Sequence, residues 1–207
     1  MVRAHSTLQI VLAAGRSERM GSPKPLLDFG GRTALELVVG AAVNAGVSPS
    51  LVVVGESGQA VLASHAWKPL FSGVRWVENP QKGSEQLRSL QLALESVKDE
   101  AFEGFFIHPV DCPLATPDDY KLLRDAFELD PDAHDVFILS YKHRRGHPIF
   151  CRRTLASQIL SLGPEQTVRD VIEKARIAHI PTPNAGVRED MDHPEDYLRL
   201  RKAFLGY

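Results

Sequence analysis

The chain has only two cysteines in 207 residues, Cys112 and Cys151, too few for a disulfide framework or a cysteine-based zinc site. No apolar run approaches the ~18 residues that a membrane helix needs. Met1 to Thr7 is a short polar lead without the apolar core of a signal peptide, so the chain is expected to be cytoplasmic and to have no membrane partner. There is also no excess of basic charge. A net charge of −2 and a pI near 6.4 provide no general attraction for nucleic acid, so any cation that acts on phosphate must act locally. Leaving His147 aside, the histidines His5, His65, His108, His134, His143, His179 and His193 show no H-x-x-x-H or cysteine-paired spacing, which argues against a transition-metal site. His108 sits within an apolar run and reads as a satisfied core residue. Repeats, low-complexity tracts and linkers are missing as well, and with 43% hydrophobic residues the chain is expected to fold as one domain over residues 1–207.

What is present is an alternation of apolar runs and helical patterns. The runs are Leu8 to Ala13, Leu51 to Gly55, Val74 to Val77, Gly104 to Val110, Val136 to Tyr141 and a weaker Ile177 to Ile180. Helices are predicted over 33–45, 59–66, 85–98, 117–129, 153–162, 167–175 and 195–205. Thr116-Pro117 and Asp192-His193-Pro194 supply the start signals of two of them. Strands alternating with helices imply a doubly wound sheet with binding groups at the carboxyl ends of its strands. His147 to Cys151 and the strand before it are expected to form a mixed or antiparallel edge.

The first run leads into Leu12-Ala13-Ala14-Gly15-Arg16-Ser17-Glu18-Arg19-Met20-Gly21-Ser22-Pro23-Lys24. Gly15 and Gly21 permit tight turns whose N–H groups can approach phosphate oxygens. Arg16, Arg19 and Lys24 can supply charge-assisted hydrogen bonds to the same oxygens. Two familiar phosphate motifs do not fit. From Gly15 a P-loop window reaches Met20 and Gly21 with no Lys-Ser/Thr after it, and the three Rossmann glycine positions hold Gly15, Ser17 and Met20.

Residues 12–27 match LAAGxSxRMGxxKxLL at every specified position. In this the chain resembles the nucleotidyltransferases that build nucleotide-linked cofactors and sugars, and its Ala-Ala-Gly form is similar to the molybdenum cofactor cytidylyltransferase branch. The resemblance implies a Rossmann-like, three-layer α/β/α, doubly wound and mainly parallel sheet of the nucleotide-diphospho-sugar transferase type. It implies a nucleotide site of Leu12, Ala13, Ala14, Gly15, Arg16, Ser17, Arg19, Lys24, Gln86 and Ser89, with Arg19, Lys24 and Asp111 in the chemistry.

Two acidic segments follow. Gly104 to Leu114 is an apolar run ending in Asp111 between Pro109 and Pro113, and Asp190-Met191-Asp192-His193-Pro194-Glu195-Asp196 lies near the other end of the chain. A nucleoside triphosphate travels with Mg²⁺, which takes one or two protein carboxylates plus phosphate oxygens and water. The two segments resemble the family's P-x-D-x-P-L and D-I-D-T-P-E-D motifs, which implies Asp111 and Asp192 as the metal ligands and makes Asp190 the lesser candidate. The alternative is that both aspartates merely cap the helices they precede.

A third segment, His143-Arg144-Arg145-Gly146-His147-Pro148, resembles the family's G-H-P motif beside the acceptor. Gly146 would allow close approach, His147 would donate to an anion, and Arg144 or Arg145 would pair with a phosphate. The chain departs from the family's G-Q-x-S-S-L pattern at Glu85 and Arg88, where Gly and Ser are usual, and this leaves the base open.

Taken together, the resemblance implies transfer of a nucleoside monophosphate from a nucleoside triphosphate, CTP by preference, to a small phosphorylated acceptor, molybdopterin by preference. Pyrophosphate leaves, and a molybdoenzyme or maturation partner would receive the product. The alternatives are a sugar-phosphate uridylyl- or guanylyltransferase, and a non-catalytic protein that binds and delivers nucleotide or cofactor.

Overall fold

The structure is a computed structural model that describes residues 6–15, 17–81 and 86–207. Among these, seven strands and seven helices follow in the order β1 (Thr7–Ala13), α1 (Ala34–Asn44), β2 (Ser50–Val54), α2 (Gly58–His65), β3 (Val74–Glu78), α3 (Gln86–Ser96), β4 (Gly104–Pro109), α4 (Pro117–Leu129), β5 (Val136–Tyr141), β6 (Arg144–Arg152), α5 (Thr154–Leu160), α6 (Val168–Ile172), β7 (Ile177–Pro181) and α7 (Pro194–Leu205). Local signals set the boundaries. Thr33 opens α1 with a reciprocal cap, its hydroxyl accepting from the Glu36 N–H at 3.2 Å while its own N–H donates to the Glu36 carboxylate at 2.7 Å. Pro117 and Pro194 occupy the first turns of α4 and α7, where no N–H is needed.

The strands form one sheet in the order β3-β2-β1-β4-β6-β5-β7. β1 pairs in parallel with both β2 and β4, so the connections turn away to opposite sides at the β1/β4 boundary, and a crevice opens at the carboxyl ends of these strands. β1 is buried along its whole length, as a run that is apolar from Leu8 to Ala13 except for Gln9 requires. Its Leu8, Ile10 and Leu12 pack with Leu87, Leu90 and Leu94 of α3, with α5 and α6 on the same side. Val11 and Ala13 face the opposite layer of α1 and α2, which α4 extends. The result is three layers, α/β/α. α7 adds a further contact, Leu200 packing with Phe29, Leu37 and Met191 against the outer side of α1.

One expectation is corrected. β6 is antiparallel to both its neighbours, β4 and β5, and is not an edge because it lies between them, while β7 adds in parallel beyond β5 so that β5 is not an edge either. Ile149, Phe150 and Cys151 are buried, as suits a strand covered by helices on both sides, while β7 is only half-buried. Because β6 runs backwards, its first residues lie at the same end of the sheet as the last residues of β4.

The β5–β6 hairpin turns through Lys142 and His143, both left-handed with φ of 49° and 62°. Two-residue turns of this hand favour Asn-Gly, since a side chain in that region costs roughly 1–2 kcal/mol. His143→Gly is therefore expected to stabilise the protein by about 0.5–1 kcal/mol, after glycine's own entropic cost. Urea unfolding checks this, and a variant less stable than the parent would mean that the His143 side chain makes a compensating contact.

Candidate active site

Beyond Ala13 the chain folds back on itself. Ser17 is left-handed (φ 53°), its carbonyl accepts from the Met20 N–H at 2.9 Å, and its hydroxyl accepts from the Lys24 N–H at 2.9 Å. Gly21 supplies a second left-handed residue at φ 66°. These bonds fix the Lys24 backbone over the end of β1 and leave its four-carbon side chain to reach inward. Arg16, predicted to bind phosphate, lies outside the described residues, as does Glu85.

At the end of β4, the Val110 N–H donates to the Leu12 carbonyl at 3.1 Å, setting Asp111 beside the turn. The Asp190–Asp192 segment arrives from the far end of the chain. The Met191 N–H donates to the Asp111 carbonyl at 3.0 Å, and the Met191 side chain is fully buried among Phe29, Ala34, Leu37 and Leu200. The Lys24 ammonium then donates to Asp111 Oδ2 at 3.0 Å and to Asp192 Oδ1 at 2.8 Å. Burial alone would lower the Lys24 pKa, but its bonds to Asp192 and Asp111 outweigh that and raise it. Asp190 is raised by its own burial and by the charges of Asp192 and Asp111.

The capping alternative fails for both aspartates. Thr116 stands at the N-cap of α4 and His193 at that of α7, with Asp119 and Asp196 as the carboxylates that accept from their N–H groups. Asp111 and Asp192 are left to face a common cation. The donor set suits a hard divalent ion: two carboxylates converge where a positive charge already sits. Among the described residues no group of three or more His, Cys, Asp or Glu surrounds a metal position, so phosphate and water oxygens would complete the shell.

Leu12, Ala13, Ala14, Gly15, Ser17, Arg19, Lys24, Gln86, Ser89, Asp111 and Asp192 line one cavity of 320 Å³. Every described residue predicted for nucleotide or metal binding is thus brought together. Glu18, Met20 and Pro25 also line it and were not singled out in the sequence. Arg145, Gly146 and His147 line a second, more apolar cavity of 300 Å³, which shares Leu12, Gln86 and Pro109 with the first. A third hollow of 780 Å³, at the ends of β2 and β3, shares Ala14. Arg88 is exposed and lines none of these three cavities, so it has no part in the sites as described.

One predicted acceptor feature changes. Arg144 sits beside the hairpin turn, opposite Tyr141, and does not line the second cavity. The His147 pKa is lowered by burial, against the opposing pull of Asp111 and of the Ile107 backbone. Its Nδ1 is the one buried side-chain polar atom without a partner among the described residues. Gly146 is needed for packing, since a Cβ there would lie 2.5 Å from the Val187 carbonyl. His143, four residues before His147, remains in the turn.

Two supporting networks were missed in the sequence. Buried Asp119 accepts from Thr116, Thr182 and Asn184, tying the start of α4 to the segment that leads to Asp192. In the second network, Ser50 donates to Gln9 Oε1, Gln9 Nε2 donates to the Tyr120 hydroxyl, Tyr120 meets His108 Nδ1 at 2.6 Å, and His108 Nε2 meets the Cys112 carbonyl at 2.8 Å, one residue from Asp111. The available signals were the Thr116/Asp119 capping spacing and the polar residues Gln9 and His108 inside otherwise apolar runs.

This doubly wound α/β/α sheet, with its cavity at the switch point, has the nucleotide-diphospho-sugar transferase-like fold. Residues 9–180 match the family described as the MobA-like NTP transferase domain, and the chain belongs to that family. It is 35% identical over 125 residues to a bifunctional protein GlmU from Halorhodospira halophila, a match covering 58% of this chain and 25% of that protein. The chain therefore matches about a quarter of the length of that curated relative. Among solved structures, a homologue of Mycobacterium tuberculosis Rv0371c from Mycobacterium sp. strain JC1 superimposes with a TM-score of 0.80 at 26% identity, covering 97% of this chain and 98% of that one. A structure of Rv0371c from M. tuberculosis H37Rv, described as a complex with manganese, gives 0.78 at 25% identity, covering 96% and 99%. No helix among the described residues is long and apolar enough to cross a membrane.

The buried network predicts a pH response. Burial lowers the His108 pKa from 6.5 to about 3. The unfolded chain therefore takes up a proton below pH 6.5 that the folded protein refuses until about pH 3, and stability falls with pH through that window. The slope attributable to His108 is about 1.4 kcal/mol per pH unit. Denaturation at pH 7 and pH 5 should show His108→Gln losing less stability than the parent over this interval; equal losses would refute the assignment.

Proposed function

We propose that the protein is a magnesium-dependent nucleotidyltransferase, in which a phosphate on a small acceptor attacks the α-phosphorus of a nucleoside triphosphate in line and pyrophosphate departs. The observation that carries this reading is the meeting of Asp111 and Asp192 at the Lys24 ammonium, inside the cavity walled by the Leu12–Arg19 turn. The Gly15 backbone, Arg19 and Lys24 would hold the β- and γ-phosphates. Asp111 and Asp192 would hold Mg²⁺, which when bound supplies charge neutralisation at the reacting phosphate. The hollow beyond Ala14 offers room for ribose and base, and the neighbouring cavity offers Arg145, Gly146 and His147 to the acceptor. No protein nucleophile is required. A phosphate monoester is already largely anionic at neutral pH, so these side chains need only position the reactants and offset charge.

Within this reading we assign CTP and molybdopterin as the substrates, on the strength of the Ala13-Ala14-Gly15 form of the turn. A second reading, a sugar phosphate as acceptor with UTP or GTP as donor, draws support from the similarity to GlmU proteins. Pyrophosphate release measured with each of the four triphosphates, with molybdopterin or with sugar phosphates, separates the two. Release with CTP only in the presence of molybdopterin is the expected result. Nucleotide binding without release, whatever the acceptor, would instead indicate a delivery protein. Asp111→Asn and Asp192→Asn should each lower kcat by about 100-fold or more at saturating Mg²⁺, the scale of losing an electrostatic contact made to the transition state. Melting temperatures should move by only a few degrees. A wild-type rate in Asp111→Asn would remove the metal role assigned to it.

A further inference from the structure

The Lys24 contacts raise a question of charge that phosphate binding alone does not answer. Its ammonium already engages both carboxylates through 3.0 and 2.8 Å bonds, and its side chain is only 14% exposed. An ammonium and a divalent cation cannot both sit against the same carboxylate oxygens without strong repulsion, which at these separations amounts to several kcal/mol even in a partly hydrated cleft. The Lys24 backbone, by contrast, is pinned by the Ser17 hydroxyl, so only the side chain is free to move. Lys24 also lines the cavity walled by Gly15 and Arg19, where a triphosphate would lie.

We infer that Lys24 is an exchangeable counter-ion, which neutralises Asp111 and Asp192 in the metal-free protein and swings to the triphosphate when a divalent cation takes the two carboxylates. This rests on the metal site of the proposed function and adds a direction to it. Lys24 competes with the metal when nucleotide is absent and assists binding once nucleotide arrives. The exchange needs only rotations of the Lys24 side chain. It also keeps three aspartates, Asp190 included, from facing one another uncompensated. Metal and triphosphate should consequently bind with positive coupling, because the metal frees Lys24 for the triphosphate and the triphosphate draws Lys24 off the carboxylates that the metal needs.

The test is titration of Mn²⁺ into the nucleotide-free protein, with free Mn²⁺ read by electron paramagnetic resonance. Lys24→Gln, which keeps a hydrogen-bond donor for the carboxylates, and Lys24→Met should each bind Mn²⁺ about tenfold more tightly than wild type, a conservative share of the repulsion removed. Lys24→Arg, which keeps the charge, should stay within about twofold of wild type by the same reckoning. With α,β-methylene-CTP added, the gain in Mn²⁺ affinity should be larger in wild type than in Lys24→Gln. If both neutral variants bind Mn²⁺ no more tightly than wild type while Asp111→Asn abolishes binding, the metal site stands and the counter-ion exchange is wrong. If Asp111→Asn binds Mn²⁺ as wild type does, the metal site itself falls and the exchange falls with it.

Discussion

One ammonium held between two carboxylates organises this molecule. Asp111 and Asp192 lie 87 and 168 residues beyond Lys24 in the chain, and two carboxylates that converge on one ammonium would repel each other without the positive charge between them. The fold can be understood as the set of constraints that brings these three groups together. The β1/β4 pairing brings Asp111 beside the turn that carries Lys24. The bond from the Met191 N–H to the Asp111 carbonyl, with the Met191 side chain sunk between α1 and α7, brings Asp192 to the same place. Here apolar burial does electrostatic positioning, because a fully buried methionine contributes on the order of 2–3 kcal/mol to holding its acidic neighbours in register.

The reversed strand β6 does the corresponding work on the other side. A sheet made only of parallel strands would present nothing but strand ends at the crevice. Because β6 runs the other way between β4 and β5, it presents the start of a strand there, and Arg145, Gly146 and His147 come to border the cavity next to Asp111's. The Gly146 backbone packs directly against Val187 in the segment leading to Asp192. The two cavities are therefore joined by a shared wall of Leu12, Gln86 and Pro109 and also by the packing of their supporting segments.

Much of this was legible in the sequence, for local reasons. Largely apolar runs marked β1, β2 and β4. Thr116-Pro117 and His193-Pro194 marked helix starts, because a cap followed by a proline is a local chemical statement. The cavity lining from Leu12 to Lys24 was legible because it is one continuous segment. What depended on long-range contacts was not legible. β6 is interior because it pairs with β4 as well as with β5, and β5 is covered in turn by β7, which comes later in the chain. The lowered pKa of His147 follows from burial that no run of neighbours announces. Asp119 looked like half of a helix cap and is that, but it also accepts from Thr182 and Asn184, 63 and 65 residues away.

The character of the supporting groups follows from the charge they support. Near a position meant for a cation, any further fixed positive charge would compete for the carboxylates, and any further negative charge would need its own partner. The network behind Asp111 avoids both. Ser50, Gln9 and Tyr120 are uncharged, and His108, the only titratable member that could turn cationic near neutrality, is buried deeply enough to stay neutral until about pH 3. It still holds the Cys112 carbonyl, and so the turn bearing Asp111, through ring hydrogen bonding. His147, which lines the neighbouring cavity, follows the same pattern, its pKa lowered by burial although Asp111's charge favours protonation. The positive charge at the crevice is thereby concentrated in side chains long enough to move, Lys24 above all, while the groups that fix geometry carry none. A site built in this way can trade one cation for another without disturbing the scaffold that holds its aspartates.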